Sequence, residues 1–411
     1  MKKEEIFQSY NDYILPTYAK TPLIFVKGKG SRLWDIDNRQ FLDFFPGWGV
    51  GNLGHCHPKV MQAVRDQVSK LIFVPNNYHN IPQAKLAKEL ASLLDYPAKV
   101  FFCNSGAEAN EGAIKLARKF GVSTALSADG ERNRTIGQGR YEIITFENSF
   151  HGRTLAALAA TGQKKYQAGF DPLPQGFKIV KFNDLSAVKS ALSDESVAIL
   201  LELIQGEGGV NVADKEFVLG LRKICDERKM LLIVDEVQTG IGRTAEFFCH
   251  KHYNIAPDVM TLAKALGGGL PIGVMAVKSE ISDVLGPGMH ASTFGGGPVI
   301  CRAALAVLKA IKKEKLIIKA KKSSEYLFDK LNQLKHKYPF IKEVRGIGLM
   351  AGVELDIEGK EVVQKCLADN LLINCTHDKV LRLMPALNIS RKEIDKAIGI
   401  LDKALGEVKG V

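Results

Sequence analysis

The sequence predicts an α/β protein whose central sheet is mostly parallel and is covered by helices on both faces. Three observations lead to this prediction. Short apolar runs rich in β-branched residues recur through the middle of the chain, helical periodicity fills several of the intervals, and glycine-rich turns follow predicted strand ends. The 411 residues are 46% hydrophobic and 25% charged, which is an ordinary composition for a globular protein.

The predicted strands of this sheet occupy continuous apolar runs. They are residues 99–103, 142–146, 178–182, 196–204, 231–235, 258–263 and 272–277. Helical patterns lie between several of them, for example at 107–120 and 214–229. Parallel strands need crossover connections, which are usually helices, so the alternation favours a parallel sheet.

The two ends of the chain differ from this central pattern. Residues 22–45 are typical of extended segments with turns, residues 298–338 predict long lysine-rich helices, and residues 341–405 mix strands with helices. We therefore expect a smaller α+β domain drawn from both termini. The expected boundaries are an N-terminal segment at 1–57, a large domain at 58–300 and a C-terminal part of the small domain at 301–411.

The charge of the chain does not by itself indicate a partner. The formal net charge is +11, but lysine and arginine are spread along the sequence, so we expect a solvated surface and no nucleic-acid partner. The N-terminal sequence MKKEEIFQSY lacks the apolar core of a signal peptide, and no apolar run is long enough to span a bilayer. We expect a cytoplasmic protein that is not bound to a membrane.

The cysteines are expected to be reduced thiols. There are seven, they are scattered, and none forms a C-x-x-C pair. The run His55-Cys56-His57 has no second pair of ligands at zinc spacing, so no metal site is predicted.

Lys264 is the residue around which a chemical site can be predicted. It follows the run 258–263 and precedes three consecutive glycines, at 267–269. A lysine at the end of a buried strand is partly desolvated, which favours a neutral amine able to attack an aldehyde. A lysine that leaves a strand end into solvent would give the same local pattern.

Asp235 ends the apolar strand that precedes Lys264 along the chain. The carboxyl ends of parallel strands meet at one edge of a sheet, where ligands bind. A carboxylate beside the nitrogen of a pyridoxal ring keeps that ring protonated, and Gln238 could donate to its phenolic oxygen. A helix cap or a metal ligand is the alternative interpretation of Asp235.

Two segments of small residues are candidates for binding a phosphate. Ser105, Gly106 and Ala107 stand between a predicted strand and a helix, where free backbone N–H groups and the helix dipole favour an anion. Ser292 and Thr293 begin the stretch STFGGG. A capped helix without a ligand would explain the first segment equally well.

Further candidates follow two other predicted strands. Phe150 could stack on a planar ring, His151 could be a general base or only a loop residue, and Arg153 could bind a carboxylate through two hydrogen bonds. Glu202 and Glu207 are carboxylates close to a predicted anion site, so each would need a hydrogen-bonding or charge-pairing partner there. The alternative is that both are turn residues in solvent.

Together these segments resemble the class III aminotransferases, the group of the ornithine and acetylornithine aminotransferases. The resemblance covers nearly the whole chain. Its motifs are FLDFFPGWGVGNLGHCHPKV at 41–60, SGAEANEGAIKLAR at 105–118, FENSFHGRT at 146–154, QGEGGV at 205–210, LLIVDEVQTGIGRT at 231–244, TLAKALGGGLPIG at 261–273 and STFGG at 292–296. It implies fold type I of the transferases that use pyridoxal 5′-phosphate, and a homodimer with active sites at the subunit interface.

The resemblance also implies a role for each motif residue. Lys264 would be the catalytic residue and would bind the cofactor as a Schiff base, while Asp235 would pair with the ring nitrogen. The other residues that bind the cofactor would be Ser105, Gly106, Ala107, Phe150, Glu202, Val237, Gln238 and, from the partner subunit, Thr293. The residues that bind substrate would be Arg153, Glu207, Ser292 and Arg382.

The resemblance further implies how one pocket serves two substrates. Glu207 would mask Arg382 while the amino donor reacts, and would move away when 2-oxoglutarate binds. The implied reaction transfers an ω-amino group to 2-oxoglutarate, with N2-acetyl-L-ornithine of arginine biosynthesis as the expected donor. Ornithine, succinyl-diaminopimelate, carrier-linked lysine and 4-aminobutyrate are the alternatives.

Some features depart from this family pattern or suggest other classes of protein. Leu203 stands where the family usually has a proline, and Gly297 stands where it usually has an asparagine. The segment around Trp48 is unusually rich in glycine, and Trp48 is expected to line the entrance for the substrate. Residues 49–54 match the G-x-G-x-x-G of nicotinamide dehydrogenases, but the expected strand and helix do not surround them. A catalytically silent cofactor-binding module is a third alternative, against which the presence of both Lys264 and Asp235 argues.

Overall fold

The computed structural model describes residues 2–128 and 139–408. The α-helices are α1 (Lys3–Tyr13), α2 (Pro58–Val68), α3 (Ile81–Ala91), α4 (Gly106–Ala128), α5 (Leu155–Ala160), α6 (Lys164–Gln167), α7 (Leu185–Ala191), α8 (Lys215–Arg228), α9 (Pro298–Lys313), α10 (Leu316–Lys337), α11 (Lys360–Ala368) and α12 (Arg391–Val408). Short 3₁₀ helices occupy Cys249–Tyr253, Lys264–Gly267 and Ser279–Val284. No helix in these residues is long and apolar enough to cross a membrane.

The strands group into one large sheet and three smaller ones. They are β1 (Phe25–Lys29), β2 (Arg32–Asp35), β3 (Gln40–Asp43), β4 (Ala98–Cys103), β5 (Glu142–Phe146), β6 (Phe177–Val180), β7 (Ser196–Leu201), β8 (Ile204–Gln205), β9 (Asn211–Val212), β10 (Leu231–Asp235), β11 (Val259–Leu262), β12 (Gly273–Lys278), β13 (Ile341–Ile347), β14 (Met350–Leu355), β15 (Leu371–Leu372), β16 (Asn374–Thr376) and β17 (Val380–Leu383).

The large sheet has seven strands in the order β4-β12-β11-β10-β7-β5-β6. Only β12 runs antiparallel to its neighbours, β4 and β11, while the other pairs are parallel. The predicted mostly parallel sheet is therefore confirmed. The predicted strand 196–204 is interrupted, because Ile204 pairs with Val212 in a separate hairpin after the sheet strand has ended at Leu201.

The two faces of this sheet are both buried, as the continuous apolar runs require. In β10, Leu231 and Ile233 pack with residues of α4, whereas Leu232 and Val234 pack with residues of α8 on the opposite face. Successive strand side chains point to opposite faces, so a strand covered on both sides must be apolar at every position. The first polar residue of this strand, Asp235, comes at its carboxyl end.

The two ends of the chain share a sheet. The antiparallel strands β1, β2 and β3 are extended by the C-terminal strand β15, whose Leu371 pairs with Leu42 of β3. A second sheet, in the order β13-β14-β17-β16, is formed entirely by the C-terminal part. This pairing agrees with a small unit drawn from both termini, while the exact boundaries at residues 57 and 300 stay a prediction.

Candidate active site

A cavity of about 760 Å³ lies at the carboxyl end of the large sheet. The segments that follow five strands of this sheet contribute to its lining. They are residues 104–107 after β4, 150–153 after β5, Glu202 after β7, residues 235–238 at the end of β10, and residues 263–264 after β11. Open α/β sheets bind ligands at this position because loops and helix N-termini converge there.

Lys264 lies in this cavity at the start of a short 3₁₀ helix, with a positive φ of 45°. This backbone conformation is uncommon for a residue other than glycine and is typical of functional sites. Burial lowers the pKa of the Lys264 ammonium group, although the carboxylates of Asp235 and Glu202 oppose that shift. The shift is in the direction of the neutral amine, which is the nucleophilic form.

Asp235 is held by three donors. Its Oδ2 accepts hydrogen bonds from Nδ1 of His151 at 2.9 Å and from Nδ2 of Asn110 at 2.8 Å. Its Oδ1 accepts from the backbone N–H of Val237 at 3.0 Å. These three bonds fix the orientation of the Asp235 carboxylate at the edge of the cavity.

His151 is fully enclosed and points at Asp235. Because a carboxylate only accepts, Nδ1 of His151 must be the donor. The other ring nitrogen, Nε2, is buried and has no hydrogen-bond partner among the residues that the structure describes. The imidazole thus orients the carboxylate from the side of the loop after β5.

Glu202 is hydrogen-bonded to the backbone of the loop after β5. Its Oε2 accepts from the backbone N–H of Phe150 at 2.9 Å, and its Oε1 accepts from the N–H of Gly206 at 3.4 Å. Burial raises the pKa of the Glu202 carboxyl to about 7; the charge of Asp235 adds to this shift and that of His151 opposes it. The carboxyl can therefore hold a proton near neutral pH.

The first turn of α4 is shaped to admit an anion. The N–H groups of Gly106 and Ala107 have no intrahelical acceptor in that position. A Cβ atom at Gly106 would lie 2.7 Å from Cγ1 of Val237, and one at Gly152 would lie 2.8 Å from Cβ of Ala107. Only glycine leaves the space free at these two positions. The hydroxyl of Ser105 caps the helix by accepting from the N–H of Glu108 at 3.2 Å.

Arg153 and two aromatic rings form one wall of the cavity. The guanidinium carbon of Arg153 lies 4.0 Å from the ring centroid of Tyr166 and 5.4 Å from that of Phe150. The two rings meet edge to face at 5.7 Å. Arg153 is exposed on the cavity side, so its hydrogen-bond donors can take up a carboxylate.

Arg382, on β17, is fully buried and lies behind the cavity. Its Nη2 donates to Oε2 of Glu207 at 3.0 Å and to Oδ1 of Asn374 at 2.8 Å, and its Nη1 donates to the carbonyl oxygen of Gly206 at 2.6 Å. Nη1 also lies 3.5 Å from Oε1 of Gln238. Glu207 itself lines the cavity. The ion pair thus separates Arg382 from the cavity.

The structure brings most of the predicted site residues together, but it does not bring all of them into one cavity. Ser292 and Thr293 do not line it within a single chain. Ser292 lies instead at a second cavity of about 460 Å³, where its Oγ accepts from Nδ2 of Asn104 at 3.2 Å. A role for Thr293 at a phosphate therefore requires a second subunit, as the resemblance implies.

Three residues of the site were not predicted from the sequence: Asn110, Thr261 and Tyr166. The side-chain Oδ1 of Asn110 accepts from the hydroxyl of Thr261 at 2.8 Å, within the fully buried layer behind Asp235. Asn110 had a detectable signal, because it is a polar residue on the same helix face as the buried residues Ala113 and Ala117. Tyr166 had none, since it lies on a single helical turn.

The glycine-rich segment at 49–54 lies between β3 and α2, in turns with positive φ at Gly49 and Gly54. Gly47, Trp48 and Val50 line the cavity, together with Tyr18, whereas the expected position of Trp48 at a substrate entrance stays a prediction. In a dinucleotide-binding fold, the glycine motif forms a short turn that joins a strand directly to a helix. Here residues 49–54 lie in a longer connection, because β3 ends at Asp43 and α2 begins at Pro58. The dinucleotide-binding alternative therefore lacks its required geometry.

Comparison with known proteins gives a consistent result over the full chain. The family model described as aminotransferase class-III matches residues 13–405. The chain is 49% identical to the acetylornithine aminotransferase of Methanocaldococcus jannaschii over 413 aligned residues, which cover 100% of both chains. It is 42% identical to the succinylornithine transaminase of Yersinia pseudotuberculosis, with 98% of this chain and 96% of that one covered.

Solved structures with the same fold include two aminotransferases. The ornithine aminotransferase of Toxoplasma gondii superposes with a TM-score of 0.92 at 33% identity, covering 100% of this chain and 96% of that one. The acetylornithine aminotransferase of Elizabethkingia anophelis gives a TM-score of 0.85 at 30% identity, covering 99% and 100% of the two chains.

Proposed function

Because this chain belongs to the class III aminotransferases, which use pyridoxal 5′-phosphate, we propose that it transfers the terminal amino group of N2-acetyl-L-ornithine to 2-oxoglutarate. The products are N-acetyl-L-glutamate 5-semialdehyde and L-glutamate, as in arginine biosynthesis. The observation that carries this choice of donor is the full-length identity of 49% to an acetylornithine aminotransferase.

The residues of the cavity fit the cofactor. The glycines at 106 and 152 leave a cradle that a Cβ atom would fill, and it faces the free N–H groups of a helix N-terminus. Asp235 would hold a proton on the ring nitrogen, Phe150 would stack on the ring, and Gln238 would contact the phenolic oxygen. Ser105, Ala107, Glu202 and Val237 complete this proposed set, with Thr293 supplied by a second subunit. When bound, the cofactor supplies a carbonyl that takes the amino group and an electron-withdrawing ring.

The side chains of the protein supply the proton transfers and the binding of substrate. Arg153 holds the α-carboxylate of the donor, with Ser292 contributing near it from a neighbouring subunit. Lys264 would hold the cofactor through its Nζ and, when that nitrogen is free, would take the proton from the donor carbon that bears the amino group. The lowering of its pKa by burial suits this role, because a base must be unprotonated to accept.

The second substrate needs a second arginine. 2-Oxoglutarate carries two carboxylates, whereas acetylornithine carries one, so the same cavity must offer one cationic site in the first half-reaction and two in the second. Glu207 pairs with Arg382 at 3.0 Å and thereby covers it. In our proposal, Glu207 leaves Arg382 when the distal carboxylate of 2-oxoglutarate enters.

A cytoplasmic homodimer is part of the same proposal. Large apolar side chains lie exposed near the segment that carries Thr293, and Phe73 packs against Phe294 with 5.6 Å between ring centroids. This group of exposed residues is Leu71, Ile72, Phe73, Tyr78 and Phe294. Exposed apolar clusters of this kind typically mark subunit contacts. The mass in solution, measured by sedimentation, tests this part.

The choice of donor is tested by comparing kcat/KM for acetylornithine, succinylornithine, ornithine and 4-aminobutyrate with 2-oxoglutarate as acceptor. We expect acetylornithine to have the highest value. Lys264→Ala tests the chemistry separately, since the holoenzyme should lose the long-wavelength absorption of the lysine-bound cofactor together with its activity. An ornithine value more than about tenfold above that of acetylornithine, a difference of about 1.4 kcal/mol in transition-state binding, would contradict the proposed donor.

A further inference from the structure

Tyr166 links the two arginines of the cavity. Its ring lies under the guanidinium group of Arg153, at 4.0 Å from centroid to carbon. Its hydroxyl donates to Oε1 of Glu207 at 3.4 Å, while Oε2 of the same carboxylate accepts from Nη2 of Arg382 at 3.0 Å. One side chain thus contacts the proposed site of the α-carboxylate and the residue that covers the second arginine.

We propose that Tyr166 is a positioning residue that sets the balance between the two substrates, by holding Glu207 on Arg382 until a dicarboxylate displaces it. This proposal rests on the proposed function of Glu207 and Arg382, and it adds the residue that keeps Glu207 paired with Arg382. While Glu207 covers Arg382, the hydroxyl of Tyr166 adds one hydrogen bond to the Glu207 carboxylate.

The surroundings of Glu207 explain why a holding group is needed. Arg382 is fully buried and has other acceptors, namely the carbonyl oxygen of Gly206 and Oδ1 of Asn374. Glu207, by contrast, is partly exposed on the cavity side, with a side-chain exposure of 25%. An ion pair that solvent can reach is weak by itself, so an added donor changes the position of the equilibrium.

The position of Tyr166 does not depend on the bond to Glu207. Its backbone N–H donates to the carbonyl oxygen of Gln163 at 3.0 Å, and the side chain of Gln163 is itself buried and bonded to the carbonyl oxygens of Asn148 and Ser149. When Glu207 leaves, the ring can therefore stay on Arg153. The hydroxyl and the ring have separable effects, which two substitutions can distinguish.

Tyr166→Phe removes the hydroxyl and keeps the ring. In the holoenzyme, we expect KM for 2-oxoglutarate and Kd for glutarate, a dicarboxylate without the keto group, to fall about three- to tenfold, as expected for loss of one hydrogen bond. KM for acetylornithine should change less than about twofold because the ring still supports Arg153. Tyr166→Leu removes the ring as well and should raise KM for both substrates.

Glu207→Ala decides whether Tyr166 acts through Glu207. In the double variant Tyr166→Phe/Glu207→Ala, the substitution at 166 should have no further effect on the affinity for glutarate. Tyr326→Phe is the matched control, since its hydroxyl also donates to a carboxylate, of Asp395, but outside the cavity lining. Melting temperatures of all variants report whether the fold is retained.

The outcomes distinguish the role proposed for Tyr166 from the role proposed for Glu207. If Glu207→Ala improves dicarboxylate affinity but Tyr166→Phe leaves it unchanged, worsens it, or adds to the effect of Glu207→Ala, the role of Tyr166 is wrong and that of Glu207 stands. If Glu207→Ala itself does not improve the affinity for glutarate, the covering of Arg382 is wrong, and the role of Tyr166 falls with it.

Discussion

Nδ2 of Asn110 lies 2.8 Å from Oδ2 of Asp235, and the orientation of its amide is fixed from behind. The hydroxyl of Thr261 donates to Oδ1 of Asn110 at 2.8 Å, so the nitrogen side must face the carboxylate and the carbonyl oxygen of His151 at 2.7 Å. All of these groups are buried. Asp235 is therefore oriented by a network whose members have little freedom to rearrange.

Removing this amide should impair the enzyme even though Asn110 need not touch substrate. Asn110→Ala removes one of the two donors to Oδ2 of Asp235 and takes away the partner of the Thr261 hydroxyl and of the His151 carbonyl oxygen, at a cost of about 1–3 kcal/mol. We expect a lower melting temperature, weaker cofactor binding and a reduced kcat. Asn183→Ala, which removes an exposed amide bonded to the carbonyl oxygen of Val212, serves as control. Unchanged kcat and cofactor affinity in Asn110→Ala would mean that the network does not act on Asp235.

The cradle at the start of α4 can be tested by adding one carbon. In Gly106→Ala the new Cβ would meet Val237 at 2.7 Å, and Val237 cannot move freely because its N–H binds Oδ1 of Asp235. Overpacking of this kind costs about 1–3 kcal/mol, so the affinity for pyridoxal phosphate should fall roughly five- to a hundredfold.

The matched variant restores the missing space. Gly106→Ala/Val237→Ala should recover much of the affinity, because the collision and not the loss of glycine flexibility causes the defect. Fluorescence titration of the cofactor-free protein measures both values. Equal affinities of the single and the double variant would contradict this explanation.

The sequence predicted the positions of Lys264 and Asp235 because both depend on local patterns. Asp235 ends an apolar strand and Lys264 follows the next one along the chain, and parallel neighbours end at one edge of a sheet, so the strand pattern places both residues at that edge. The contacts of Tyr166 could not be predicted in this way. It meets Glu207 only because the segment after β5 and the segment after β7 converge above the sheet, and their separation of 41 residues leaves no local signal.

Ser292 and Thr293 illustrate a different limit. Their hydroxyls and the glycines after them are suited to binding a phosphate, and the sequence predicts that function as a chemical possibility. A pattern of residue types does not state which subunit provides the ligand. Within one chain Ser292 lies at the second cavity and neither residue lines the first, so their contribution to the site stays a prediction about the dimer.

The pKa of Glu202 predicts a pH dependence of stability in the cofactor-free protein. Burial raises the pKa of this carboxyl from 4.5 to about 7. Its contribution to stability is fully present below about 4.5, where the folded and unfolded forms are both protonated, and is lost as the pH rises towards about 7. Between these values the folded form binds the additional proton.

Glu202→Gln should remove this part of the profile, because glutamine stays neutral. Melting temperatures measured across this range should fall more steeply with rising pH in the natural protein than in the variant. The exposed Glu216→Gln on α8 is the control and should leave the slope unchanged. Parallel profiles for the natural protein and Glu202→Gln would show that Glu202 does not titrate in this window.

Arg153 is the remaining group whose role can be tested by choice of substrate. Its guanidinium group lies over the rings of Tyr166 and Phe150 and forms no ion pair with any of the described residues. Its hydrogen-bond donors are therefore available to a substrate carboxylate. Arg153→Ala should lower kcat/KM for acetylornithine about 10- to 150-fold, as expected for a charge-assisted hydrogen bond worth about 1.5–3 kcal/mol. Arg153→Lys should recover only part of this loss, because an ammonium group cannot bind both carboxylate oxygens in parallel.

A substrate without an α-carboxylate is the control for this prediction. A diamine such as putrescine should be turned over equally by the natural protein, Arg153→Ala and Arg153→Lys. An equal loss with putrescine would indicate that Arg153 supports the fold of the cavity wall instead of binding the donor.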